Sequence, residues 1–327
     1  MQSELRRKLI DAFTDADQEF LSGQYLADLA GCSRTAVWKH IEELRKDGFE
    51  FEAVRRKGYR ILKTSQKVSA DEISFGLKTE FLGRNLHYED SVDSTQKIAH
   101  RLAYDGAPEG TVVIAEEQTS GRGRMDRKWH SPKYTGIWMS VLLRPNIPPQ
   151  KAPQLTLIAA VAIVQAIEET TGLIPEIKWP NDILIDGKKV TGILTELQAE
   201  SDRINAIIIG IGINVNQKKE DFPDEIAEVA SSLAIKAGSP LSRVKLVQAV
   251  LKNLEKLYIT YLDAGFYPVK LLWESYAVSI GKVVTARTLT GSIKGKALGI
   301  TDDGVLMIEE PTGEIRHVYS ADILLGN

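Results

Sequence analysis

Near the N-terminus, apolar residues recur at helical spacing: Leu5, Leu9, Ile10 and Phe13 form one stripe. A second short apolar helix is expected from Gln24 to Ala30. Gly31-Cys32-Ser33 reads as a tight turn with Ser33 as N-cap, opening a helix from Arg34 to Arg45. Val37, Ile41 and Leu44 mark its inner face, leaving Ser33, Arg34, Thr35, Trp38, Lys39 and His40 at its start and outer side. Past Gly48 the period falls to two, through Phe49 to Val54 and Tyr59 to Leu62. The tip between those strands, Arg55-Arg56-Lys57-Gly58, is basic. Helix, glycine turn, helix and basic hairpin together predict a winged helix-turn-helix, whose second helix would enter a DNA major groove. A helical protein-interaction module is the other reading of the same pattern.

The middle of the chain alternates strand and helix patterns. Strands are expected over Thr111 to Gln118 and Gly136 to Leu143, then a mostly apolar helix from Ala152 to Thr170 lying under a sheet. Asp186-Gly187 is a hairpin turn inside the run Ile177 to Glu196, and Ala206 to Asn216 reads as a buried strand carrying Gly210-Ile211-Gly212. Ser242 caps a helix continuing through Leu246, Val250, Leu254, Leu257 and Tyr261, with a shorter helix from Pro268 to Tyr276. From Ser279 onward short strands at 283–287, 293–298 and 305–308, with turns at Asp303-Gly304 and Thr312-Gly313, predict a small barrel. The fold class expected is α+β in three domains: 1–64, 65–277 and 278–327, with residues 63–67 as the first linker.

Composition narrows the function. A hydrophobic share of 43% and a charged share of 26% are ordinary for a globular chain, and the net charge of −3 restricts any nucleic-acid binding to a local patch. Such a patch exists: residues 1–32 carry 3 basic and 6 acidic side chains, residues 33–63 carry 9 and 5. The lone Cys32 excludes an intrachain disulfide framework. No signal-peptide core opens the chain, and the longest apolar stretch, Leu155 to Ile167, is too short to span a bilayer. A cytoplasmic protein without a membrane partner is expected.

The candidate chemistry centres on Gly121-Arg122-Gly123-Arg124-Met125-Asp126-Arg127-Lys128-Trp129, between two expected strands. Glycine admits a ligand close to backbone N–H groups, and arginine forks grip phosphate or carboxylate. Such a loop repels itself and should order around an anion; a solvated basic loop is the alternative. Ser94 and Thr95, where a strand gives way to a helix, offer hydroxyls and free N–H groups, or a plain cap. Asn181 and Asp182 suit Mg²⁺ or a triphosphate, or turn chemistry; Lys189 and Gly192 open the return strand. No Walker A sequence and no Ser-His-Asp or Cys-His constellation is present.

Asp93-Ser94-Thr95-Gln96, Glu117-Gln118 before Gly121-Arg122-Gly123-Arg124, Lys178-Trp179-Pro180-Asn181-Asp182, Lys189 with Gly192, and Gly210-Ile211-Gly212-Ile213-Asn214 follow one another in the order found in biotin protein ligases. With its winged helix the whole chain resembles the bifunctional ligases of Bacillus type that also repress the biotin operon. The resemblance implies a class II synthetase-like central sheet with helices and an SH3-like C-terminal barrel. It implies biotin and ATP as substrates, Mg²⁺, and biotinyl-5'-adenylate as intermediate. Lys189, Arg122 and Arg124 would be catalytic. Biotin would be held by Ser94, Thr95, Gln96, Gln118, Gly121, Arg122, Gly123, Arg124, Lys189 and Gly192. Arg124, Arg127, Trp129, Lys178, Asn181, Asp182 and Asn214 would hold ATP or adenylate, and Asn181, Asp182 and Asn214 the metal.

The implied partners are the biotin carboxyl carrier protein of acetyl-CoA carboxylase or pyruvate carboxylase, and operator DNA. DNA would be contacted by Ser33, Arg34, Thr35, Trp38, Lys39, His40, Arg55, Arg56 and Lys57. A ligand-promoted homodimer is also implied, with a pairing face expected beside Ile137 to Leu143. The chain departs from the pattern at Gln96, where other members carry Asn, and at Met125-Asp126, where some carry Arg-Gly. A lipoate ligase and a ligand-sensing repressor without ligase activity are the rival readings.

Overall fold

A computed structural model describes residues 4–16, 19–46, 49–63, 68–200, 203–289 and 291–326. Helices α1 (Glu4–Asp15), α2 (Gly23–Ala30) and α3 (Arg34–Lys46) precede the hairpin β1 (Glu50–Val54) and β2 (Gly58–Lys63). Leu9, Ile10, Phe13, Leu26, Ile41 and Leu44 bury together with Phe49 and Phe51, so the two periodicities meet in one small core. Ser33 caps α3 by accepting from the Ala36 amide at 3.1 Å. Gly58 at the wing's base has φ 112°, and a Cβ there would lie 1.9 Å from the Leu21 carbonyl oxygen. Only glycine fits that position. The expected linker falls mostly at residues 64–67, and the first domain boundary with it; both lie outside the described residues.

The short helix α4 (Ala70–Ser74) follows, then β3 (Leu86–Glu89), α5 (Thr95–Tyr104), β4 (Val112–Ala115), β5 (Gly136–Leu143) and α6 (Ala152–Thr171). Next come β6 (Glu176–Lys178), β7 (Asp182–Ile185), β8 (Lys188–Glu200), β9 (Arg203–Asn214), α7 (Asp224–Ala227), α8 (Leu233–Ala237), α9 (Arg243–Ala264) and α10 (Tyr267–Tyr276). Seven strands form one mixed sheet in the order β3-β4-β5-β9-β8-β7-β6, in which only β3 and β4 run parallel. Helix α5 covers one face through Ala99 and Ala103 on Val113, Leu142 and Ile208. The other face belongs to the main core with α6 and α9.

One expectation changes here. The apolar region around α6 extends over Pro149–Thr171, enough in length and composition to cross a membrane, but it is mostly buried against the sheet and α9. It is a core helix. Strand β5, beside which a pairing face was expected, is interior to the sheet and buried at every residue, so it offers no such face itself.

Strand β4 ends at Ala115, short of the expected Gln118, although the Glu116 amide still donates to the Glu89 carbonyl at 3.1 Å; the Glu116 side chain enters a buried ion pair. Its fully buried carboxylate receives Arg243 of α9 at 2.5 Å and the Val68 amide at 3.1 Å, while Arg243 also donates to the Gly136 carbonyl. The winged helix rests on this part of the molecule, with Phe75 edge-on to Phe49 at 6.3 Å.

Strands β10 (Val283–Thr288), β11 (Gly291–Ile300), β12 (Leu306–Glu309), β13 (Ile315–Val318) and β14 (Asp322–Leu325) make an antiparallel sheet in the order β13-β12-β11-β10-β14. Among the described residues no ladder joins β13 to β14. Its inner residues, including Val284, Ala297 and Ile308, continue the main core, and the Trp179 indole donates to the Gly304 carbonyl at 3.2 Å. The C-terminal sheet is therefore docked on the central one.

Removing one partner of a buried ion pair leaves the other charge uncompensated, at a cost of about 3–5 kcal/mol. Arg243→Ala should lower unfolding free energy in urea by about that amount, since the Glu116 side chain is fully buried. A loss below about 1 kcal/mol would mean that the pair contributes no more than an exposed one.

Candidate functional site

A cavity of about 510 Å³ opens between β8, β9, the arginine loop and the edge of β14. Of the substrate-site residues singled out from the sequence, Ser94, Thr95, Gln96, Gln118, Arg122, Gly123, Arg124, Arg127, Trp129, Lys178, Asn181, Asp182, Lys189, Gly192 and Asn214 all line it. Gly121 does not. Its carbonyl accepts the Trp129 amide at 2.9 Å, and a Cβ there would meet the Trp129 carbonyl at 2.5 Å. Gly121 closes the loop rather than touching the cavity.

The loop is a small hairpin, bridged between Arg122 and Lys128, with Gly123 N–H donating to the Arg127 carbonyl at 2.7 Å. At its tip Met125 and Asp126 adopt φ of 56° and 55°, a region that costs non-glycine residues energy. The self-repulsion expected of the arginines is relieved within the chain. Arg122 lies 3.7 Å from Glu196, Arg124 donates to Asn181 and Ser320, and Arg127 pairs with Asp322. Burial pulls the Arg124 guanidinium below its usual range. The hydrogen bond to Asp322 raises Arg127, and the same bond holds the Asp322 carboxyl below the ordinary carboxylate range.

Trp129 turns inward over the sheet. Gly192 of β8 and Gly212 of β9 are direct cross-strand partners. A Cβ on Gly212 would lie 2.3 Å from the indole nitrogen, and one on Gly192 2.9 Å from the ring. The two glycines make a trough without side chains in which the indole lies. Lys189 stands 5.2 Å from the ring centroid, with its ammonium 2.6 Å from Asp182. A cation over an aromatic face and beside a carboxylate is held in place from two sides.

The far end of the cavity is uncharged and polar. Thr95 donates its amide to Gln118 Oε1 at 2.9 Å, its hydroxyl meets Ser140 at 2.8 Å, and Gln118 Nε2 donates to Ser131 at 3.1 Å. Ser94 occupies the N-cap of α5 without making a capping bond, so the plain-cap reading does not describe it. Gly210 leaves room for Gln96, whose side chain would press on any Cβ there at 3.0 Å.

The Asn181 amide donates to the Ile193 carbonyl, and the Asn214 amide is tied to Ser231 and Gln217. Among the described residues no group of three or more His, Cys, Asp or Glu side chains could cage a metal. Of the three residues implied for a metal, Asp182 is the carboxylate, and Asn181 and Asn214 line the same cavity; Mg²⁺ carried on phosphate oxygens needs only one or two protein carboxylates, so the set fits it.

Sequence reasoning missed two walls. Phe222, Ile226, Val229 and Ala230 line one side, and Asp322 to Leu325 of β14 line another. The first had a signal in the helical spacing of Phe222, Ile226 and Val229. The second had none, since β14 reaches the cavity only by long-range docking.

Away from this cavity, Arg34, Thr35, Trp38 and Lys39 are exposed on α3, as are Ser33 before it and Arg55, Arg56 and Lys57 at the wing tip. His40 is half-buried, with Nδ1 3.0 Å from Glu43. The predicted DNA face thus lies on one module, minus part of His40.

Residues 88–214 match the Biotin/lipoate A/B protein ligase family, residues 6–60 an HTH domain, and residues 279–326 the Biotin protein ligase C terminal domain. The bifunctional ligase/repressor BirA of Bacillus subtilis is 60% identical over the whole of both chains. The chain belongs to the biotin protein ligase family. Within it, BirA of Escherichia coli is 29% identical over 90% of each chain. The structure of the biotin protein ligase from Aquifex aeolicus in complex with biotin and ATP is 33% identical, covering 74% of this chain and 99% of that one at a TM-score of 0.65.

In this ligase-family chain the glycine trough is directly testable. Gly212→Ala should expel the Trp129 indole and destabilise the protein by about 1–3 kcal/mol, as overpacking does. The readout is loss of the near-UV circular dichroism that Trp129→Phe also removes. An unchanged spectrum and midpoint would place the indole elsewhere.

Proposed function

We propose that this homologue of the Bacillus bifunctional ligases joins biotin to a lysine of a biotin carboxyl carrier protein, through biotinyl-5'-adenylate, in the cytoplasm. The observation that carries the reading is the convergence of Lys189, three arginines and the polar Ser94–Thr95–Gln118 end on one cavity. The acceptors in view are the carriers of acetyl-CoA carboxylase and pyruvate carboxylase.

Biotin's ureido ring would sit at the Ser94, Thr95, Gln96 and Gln118 end, with its carboxylate beside Lys189 and Arg122. A carboxylate and a triphosphate repel each other, so the reaction needs fixed positive charge between them. Lys189 is suited to touch both, and Arg124 and Arg127 to hold the phosphates, displacing Ser320 and Asp322 from them. Lys178 adds charge on the same wall. Trp129 and Phe222 would enclose the adenine. When bound at Asp182 and the phosphates, with Asn181 and Asn214 shaping that end, Mg²⁺ would offset further negative charge.

In the first step a carboxylate oxygen attacks the α-phosphorus, forming the mixed anhydride and releasing pyrophosphate. In the second, the neutral lysine amine of the carrier attacks the acyl carbon, giving the amide with AMP leaving and the amine proton lost to solvent. Lys189 and the loop arginines hold the anionic oxygens in both steps. No covalent enzyme intermediate is required.

The winged helix makes the same chain an adenylate-dependent repressor of biotin synthesis genes. Exposed Arg34, Lys39 and the wing-tip cations would bind phosphates, with Thr35 and Trp38 turned to base edges. Two chains pairing on a palindromic operator would place two such modules one helical turn apart. The two domain boundaries proposed are 64/65 and 277/278.

Purified protein with biotin, MgATP and a carrier domain should raise the carrier's mass by one biotinyl group. Lys189→Ala and Arg124→Ala should each slow adenylate formation by about 10²–10³-fold, the scale of losing one oxyanion donor. Adenylate at undiminished rate in both variants would refute the electrostatic role, and a wild type that binds biotin without forming adenylate would favour the pure sensor. Lipoate-dependent, biotin-independent exchange of pyrophosphate into ATP would favour a lipoate ligase. In sedimentation velocity, biotin with MgATP should shift monomer toward dimer; identical boundaries with and without them would end the coupling idea.

A further inference from the structure

Behind the loop, Glu196 of β8 sits where side chains from α5 and the arginine loop meet. Its Oε2 accepts from His100 Nε2 at 2.9 Å and from Gln96 Nε2 at 3.1 Å, and its Oε1 lies 3.7 Å from the Arg122 guanidinium. Gln96 and Arg122 line the cavity, whereas Glu196 does not. His100 is itself fixed. Gln198 Nε2 lies 2.9 Å from His100 Nδ1 and donates to the His100 carbonyl at 3.0 Å. An amide N–H only donates, so Nδ1 is the acceptor and the ring proton belongs on Nε2, aimed at Glu196. The His100 hydrogen bond, more than any other influence, holds the Glu196 carboxyl below the ordinary carboxylate range.

An ionised carboxylate only accepts hydrogen bonds, so it decides how the Gln96 amide is turned. Nε2 faces Glu196 and also donates to the Leu194 carbonyl at 3.2 Å. Oε1 therefore faces away. It is buried without a hydrogen-bond partner among the described residues, lying over Gly210 where an added Cβ would come within 3.1 Å of it. A buried acceptor left unpaired is costly unless a ligand donor meets it. The length of the Gln96 side chain brings its amide to Glu196.

We propose that Glu196 is a positioning residue, presenting the Gln96 carbonyl to a substrate N–H and anchoring Arg122 for the substrate carboxylate. It touches neither substrate itself. The inference rests on the biotin reading above, in which the N–H belongs to the ureido ring. Its signature is a selective effect on the vitamin substrate, because the atoms it steers lie at that end of the cavity.

The first measurement is biotin-dependent exchange of pyrophosphate into ATP by the intact wild-type chain, which tests the reading itself. Glu196→Gln keeps the shape and an acceptor for His100 but removes the charge and frees the Gln96 amide to turn. It should raise the KM for biotin about tenfold while the KM for ATP and the kcat stay within about twofold. Its thermal midpoint should match wild type within a few degrees. His100→Ala should move the biotin KM the same way by less. Combined with Gln96→Ala, Glu196→Gln should add less than its single effect, as expected of residues acting through one another. An unchanged biotin KM, or equal rises in both KM values with a lowered midpoint, would overturn the positioning role. Failure of the wild type to exchange with biotin would overturn the substrate reading and this inference together.

Discussion

Confining positive charge around one cavity is the constraint on which the rest of the structure depends. Arg122, Arg124, Arg127, Lys178 and Lys189 all border a space of about 510 Å³. Like charges so close would drive the loop apart in a medium less polar than water. The fold answers four of them with a polar or acidic partner from elsewhere in the chain. Glu196 comes from β8, Asp182 from β7, Asn181 from the turn before it, and Asp322 from β14 at the far end of the chain. These partners are individually modest, since several are half-exposed and screened. Together they hold the loop in a hairpin from which an incoming anion can recruit the arginines by exchange rather than by folding.

A second constraint fixes where that hairpin ends. Trp129 is seated over paired glycines of β8 and β9, so the loop's last residue is anchored to the two longest strands of the sheet. Lys189 reaches the same indole from β8. The cation assigned to both substrates is thus oriented by packing on one side and by Asp182 on the other. A side chain with four rotatable bonds placed this way loses its freedom before the reaction rather than during it.

Much of this was legible in the sequence because local chemistry dictated it. The Asp186-Gly187 turn, Ser33 as cap, the change from helical to strand period after Gly48 and the strand Gly136–Leu143 are set by neighbouring residues. The substrate-site residues were legible through the resemblance, and all but Gly121 line one cavity. What was not legible depended on distance along the chain. Nothing near Asp322 announces Arg127, which lies 195 residues away, and nothing near His100 announces Glu196, 96 residues on. Glu116 shows the limit most plainly. Nothing around it announces its buried partner Arg243, 127 residues further along the chain.

The same ion pair reaches several segments at once. Glu116 stands two residues before Gln118, which orders the polar end of the cavity, and its carboxylate also holds the Val68 amide, at the start of the described segment after the linker. Arg243 adds the Gly136 carbonyl at the start of β5. One buried ion pair therefore ties together the end of β4, the beginning of β5 and the chain leading from the winged helix. The arginine loop spans the interval between those two strands. A buried charge pair tolerates little displacement, because either charge left alone is strongly penalised. The strand ends that carry the loop and the entry to the central domain must then move as a unit, if they move at all.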